Sequence, residues 1–146
     1  MNTFLNGSQS DIKEGDISLP ASVNLTGCEN LLWKRVNNNG VANFALPTAV
    51  ADRAIYVGMS GDVIGNTVGA EAPGLDQECR VLADATNAIN PGDQLSLSPN
   101  TWGALYKPAA GAGAGFYTFE AADAVPAGAQ GALLKVRRIP DRAFNL

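Results

Sequence analysis

The sequence predicts an all-β, single-domain fold, a β-sandwich or a partly open β-barrel, preceded by a flexible N-terminal arm. Three observations carry that reading. Apolar runs are short and end at turn residues, never extending over helical lengths. Charged residues make up only 16% while Gly reaches 16 copies, so little is left for charged helix faces and much for tight turns. The clearest pattern, Ala132 to Arg138, alternates with period two: Ala132, Leu134 and Val136 fall on one side, Lys135 and Arg137 on the other. A hydrophobic fraction of 46% over 146 residues is enough for one buried core.

Residues 1–14 are polar, with Phe4, Leu5 and Ile12 as their apolar anchors, and read as a flexible arm. Residues 15–146 read as the β-rich domain. Asp16 to Leu19 is the first strand candidate, stopped by Pro20. Leu31 to Val36 reads as a half-buried strand, Trp33 on one face and Lys34 on the other. Asn37-Asn38-Asn39-Gly40 follows as a turn, because Asn and Gly tolerate positive φ. Ala45 to Ala54, with Pro47 early in it, is the one place for a short helical turn. Ala54 to Met59, β-branched and aromatic, reads as a central strand. Thr67-Val68, Arg80 to Leu82, Gln94 to Leu97, Phe116 to Glu120 and Ala132 to Arg138 complete the set. Gly-Asp followed by an apolar residue recurs at Gly15-Asp16, Gly61-Asp62 and Gly92-Asp93, each predicted to open a strand.

A formal charge of −4 argues against nucleic-acid binding, which needs a basic face to displace counterions. The one cationic cluster is Lys135, Arg137, Arg138 and Arg142, the composition of a solvated strand edge. No apolar run reaches membrane-spanning length, so no membrane partner is expected. The opening MNTFLNGSQSDIKEGD lacks a basic region followed by an apolar one, and a cytosolic origin is expected. A reducing compartment favours free thiols at Cys28 and Cys79 over a disulfide, and makes the Asn6 and Asn24 glycosylation sequons incidental.

Catalytic chemistry finds little support. The chain has no histidine, which removes the commonest general base and every imidazole-dependent triad. Two distant cysteines cannot fill a zinc shell, and the scattered Asp residues do not follow the spacing of a calcium loop. No metal, cofactor or catalytic residue is therefore expected. Glu120 and Asp123 are the best carboxylate pair available, yet belong to a solvated loop region. Gly58-Met59-Ser60-Gly61 brings its second glycine one residue too early for a nucleophile elbow. Gly111 to Gly115 lacks the lysine and serine of a phosphate loop and reads as a flexible hairpin loop. Trp102 and Tyr106 are the aromatics most open to exposure, since Pro99-Asn100-Thr101 puts Trp102 on a loop.

Two stretches carry a resemblance: Ala51 to Gly61 (ADRAIYVGMSG) continuing to Ala85-Thr86-Asn87-Ala88-Ile89-Asn90-Pro91-Gly92-Asp93-Gln94-Leu95, and Gly115 to Val136 with Ala121-Ala122-Asp123-Ala124-Val125-Pro126-Ala127-Gly128 and Leu133-Leu134-Lys135-Val136. Together with Gly15-Asp16-Ile17 they resemble the small capsid decoration, or cement, proteins of tailed bacteriophages. The extension before Gly15, the Gly111 to Gly115 repeat and the basic tail after Val136 depart from that pattern. The resemblance implies a non-enzymatic β-rich subunit on the outer capsid surface, made in the host cytoplasm. It implies the major capsid protein as partner and a homo-oligomer, a trimer first. The arm residues Phe4, Leu5 and Ile12 and the cations Arg137, Arg138 and Arg142 are then the expected capsid or subunit contacts. Another virion β-domain, of a fibre or baseplate, and a carbohydrate-binding module are the alternatives; the latter needs an aromatic platform at Trp102 and Tyr106.

Overall fold

The computed structural model describes residues 16–146, and among these every regular element is a β-strand. There are ten: β1 Asp16–Pro20, β2 Leu32–Asn38, β3 Val41–Ala45, β4 Ala54–Ser60, β5 Thr67–Glu71, β6 Glu78–Leu82, β7 Gln94–Leu97, β8 Leu105–Tyr106, β9 Ala114–Ala121 and β10 Leu133–Asn145. The first five make one sheet in the order β1-β5-β4-β2-β3, and the last five the other, β6-β10-β9-β7-β8. All paired strands are antiparallel. The chain thus completes one sheet before starting the next.

The first sheet curls until its edges meet. Ala21, just past β1, bridges Phe44 of β3, and the Ser22 amide donates to the Phe44 carbonyl at 2.9 Å. Inside the curl lies a core of Ala21, Leu25, Trp33, Phe44, Val68 and Ala70. Trp33 and Phe44 stand 5.6 Å apart, Phe44 and Tyr56 5.4 Å, in the tilted arrangement that aromatic quadrupoles favour. Gly58 is required there: a Cβ would come within 2.3 Å of the Trp33 ring. The larger core lies between the sheets and includes Leu32, Val57, Val81, Ile89, Leu95, Leu105, Phe119, Leu134 and Val136.

β2 therefore buries both faces, Leu32 in one core and Trp33 in the other, so it is not the half-buried strand expected. The Ala45 to Ala54 stretch is not helical. It ends β3 and continues as a loop tied by Asp52, whose carboxylate accepts the amides of Thr48 (2.7 Å) and Ala49 (3.0 Å) and the Lys34 ammonium (2.9 Å). β3 itself is short and carries Asn43, which hid it from pattern reading. The Asn37 to Gly40 turn is present, with Asn39 at φ 52° and Gly40 at φ 85°. Asp16 and Asp93 sit at strand entries as expected, but Asp62 does not: Gly61 and Asp62 leave β4 for a loop, and β5 begins only at Thr67. The tail beyond Arg138 is strand as well. A register shift between Arg138 and Arg142 absorbs Pro140, and pairing with β9 resumes to Asn145.

Candidate functional site

The cations marked by the sequence sit on β10 and differ sharply in availability. Arg137 is half-exposed and paired with Glu120 at 2.8 Å and Asp76 at 3.4 Å. Arg138 is 5% exposed: it donates to the carbonyls of Thr118 (2.9 Å) and Ile139 and to the Asp141 carboxylate (2.8 Å), and lies over the Phe119 ring. Its whole guanidinium serves the fold, so it is not the free contact residue the sequence suggested. Arg142 is exposed, stacked over Tyr117 and donating to the Gln94 side chain at 3.0 Å. Phe4, Leu5 and Ile12 lie outside the described residues.

Trp102 and Tyr106 are both only partly exposed. Burial, with Asp84 and Tyr117 nearby, pushes the Tyr106 hydroxyl above its ordinary value. Glu120 is committed to Arg137, and Asp123 stands exposed in the turn after β9. No group of three acidic, Cys or His side chains converges among the described residues. Cys28 and Cys79 are both unpaired thiols; burial first, then Glu71, pushes Cys79 up to about 12 against the opposing pull of Arg138.

Sequence reading missed two polar centres. The first is a buried knot around Asp84, 2% exposed, whose carboxylate accepts the hydroxyls of Ser98 and Thr86 (2.8 Å) and the Thr86 amide (3.2 Å). Ser98 in turn accepts the amides of Asn100 (3.0 Å) and Thr101 (3.1 Å), fixing the loop that carries Trp102. Burial raises the Asp84 carboxyl, but the bonds from Ser98, Thr86 and Gln130 outweigh it, and the net result is below the usual carboxylate range. The second centre lies at the seam of the two sheets, where Arg53, just before β4, pairs with Asp141 of β10. Two hollows flank that pair. One of about 470 Å³ is lined by Ile55, Pro73, Leu75 and Pro140 among others; the second, of about 270 Å³, is lined by Ala51, Asp52, Phe116 and Thr118. Nothing local linked Arg53 to Asp141.

Some of the exposed apolar side chains gather in two places. Val23, Val63 and Ile64 share the end of the curled sheet where Ala21 and Leu25 bond to residues 62–66. Phe116 and Leu146 belong to the far end of the β9–β10 ribbon.

No protein-family model and no curated protein matches the chain. The fold is similar to the crystal structure of the head fibre gp8.5 N base of bacteriophage phi29, with a TM-score of 0.62 and 14% sequence identity, over 84% of this chain and 92% of that one.

Proposed function

We propose that this chain is a non-enzymatic structural protein of a tailed-phage virion, carried on the outside of the head as a cement protein bound to the major capsid protein. The observation that carries the reading is the fold shared with a head fibre base over most of both chains. The sequence resemblance to decoration proteins points the same way. Stabilisation would follow from mass action: a protein that binds only the assembled shell makes its opening costlier. A homo-oligomer, a trimer first, would add avidity on a symmetric lattice. Contacts are assigned to Phe4, Leu5 and Ile12 of the N-terminal segment and to Arg137 and Arg142.

The neighbour is described as a head fibre base, and a second reading follows, that this chain is such a base and attaches without strengthening the shell. Mixing the purified protein with empty, undecorated heads separates the two. Cosedimentation with a rise in the heads' melting temperature is expected for cement. Cosedimentation with no rise would favour the fibre base, and the absence of cosedimentation would sink both. Deleting residues 1–12 is expected to lower occupancy; unchanged occupancy would remove that segment from the contact.

A further inference from the structure

Beside β1, β5 and β4 lies a hollow of about 180 Å³, lined by Asp16, Ile17, Ser18, Met59, Gly69 and Ala70. Two local features make it. Gly69, opposite Ser18, has no side chain, and an added Cβ would meet only the Ser60 hydroxyl, at 3.3 Å. Met59 is the extra residue where β4 shifts register against β5, between Gly58 opposite Ala70 and Ser60 opposite Gly69. A bulge of this kind re-aims the side chain it adds, and Met59 stands 56% exposed on the wall of the hollow. The space exceeds the roughly 30 Å³ share of a single water several-fold, which is room for an aliphatic side chain.

The chain enters its first sheet at this hollow, because β1 is the edge strand and Asp16 lies on the wall. The Ala21 amide donates to the Asn66 carbonyl, on the β5 side, at 2.9 Å. Alternation then turns the amides of Asp16 and Ser18 away from β5, toward the free edge. Pro20 shares that parity, where its missing N–H costs no bond in the sheet. Ile12 is four residues before Asp16, within a reach of about 14 Å. Phe4 and Leu5 lie farther back and lose more chain entropy on being held there. A three-residue hairpin loop, Lys13-Glu14-Gly15, with glycine at the position that takes positive φ, sets Ile12 opposite Asp16. Opposed residues share a face of the sheet, here the face of Ser18 and Gly69 that carries the hollow.

We infer that Ile12 of the same chain fills this hollow against Met59, with residues 10–12 added as a short strand to the free edge of β1. The anchor fixes where the N-terminal segment leaves the domain. It also narrows the partner contacts proposed for that segment to Phe4 and Leu5, and only this last step rests on the cement reading.

The free, full-length protein tests it. Hydrogen peroxide should oxidise the Met59 thioether several-fold more slowly than free methionine in the same tube, read by mass spectrometry of the peptide that carries Met59. Ile12→Asp should remove that protection with circular dichroism unchanged, Ile12→Leu should keep it, and Phe4→Asp combined with Leu5→Asp should not alter it. Amide exchange at Ser18 should quicken several-fold in Ile12→Asp, and in the wild type a nuclear Overhauser effect should join the Met59 methyl to the Ile12 methyls. Unchanged Met59 oxidation and Ser18 exchange in Ile12→Asp overturn the inference, as does equal deprotection by the Phe4 and Leu5 changes. An Overhauser effect from Ile12 to Ile17 without one to Met59 puts Ile12 on the opposite face and overturns it too. Protection lost on dilution gives the hollow to a second copy, which also overturns the assignment to the same chain. No heads enter these measurements, so protein that fails to cosediment with heads sinks the cement reading and leaves the anchor to be judged on Met59.

Discussion

Asp84 carries a negative charge into the interior without a cation, and only hydroxyl and amide donors compensate it. Asp84→Ala removes that acceptor and strands the Ser98 hydroxyl, itself fully buried, so a loss of about 3 kcal/mol is expected by urea unfolding at neutral pH. The pH dependence has a definite sign. A carboxyl held lower in the folded than in the unfolded chain contributes stability above its unfolded value, about 3.9, and loses it as pH falls through the folded one. The gap between wild type and Asp84→Ala should be constant from neutrality down to about pH 5 and narrow in stronger acid. A gap that widens on acidification would contradict the assignment. None of this knot was visible in the sequence, because Ser98 and Asp84 are separated by 14 residues and both are ordinary loop residues in isolation.

At the scale of elements, the end of the β9–β10 hairpin departs from the rest. β6 pairs with β10 only over Leu133 to Arg137, and β7 with β9 only at Phe119 and Glu120. Ala114 to Tyr117 and Arg142 to Asn145 are thus a two-stranded ribbon, a form marginal in water without a third strand or a packed face. Its support is aromatic. Phe144 lies over Gly115, where a Cβ would approach its ring to 2.7 Å, and Tyr117 stands 4.5 Å from Phe144. Native-state hydrogen exchange should show the inward amides of Gly115 and Tyr117 opening at lower cost than those of Leu134 and Val136. Equal protection would mean the ribbon is as firm as the core. Sequence reading ended this strand at Arg138; the register shift lets the chain pass Pro140 and pair again.

For the whole molecule, the two cores meet through shared strands. Leu32 and Trp33 are neighbours on β2 yet belong to different cores, and Val57 and Tyr56 repeat the arrangement on β4. Neither core can be lost without unpairing strands that line the other. A single urea transition is expected, coincident by tryptophan fluorescence, which Trp33 reports from within the curled sheet, and by far-UV circular dichroism. Two separated transitions would show the curled sheet folding on its own.

Strand content, the Asn37 to Gly40 hairpin turn, the central place of Ala54 to Met59 and the inward set Leu134 and Val136 were written in the sequence, because side-chain alternation and turn conformation are properties of a few adjacent residues. Tertiary structure alone decided that β1 lies beside β5, that the first sheet curls closed on Phe44, and that Arg53 meets Asp141 across 88 residues. Those outcomes depend on which surfaces the chain brings together to exclude water, and no local pattern records the path by which distant segments meet.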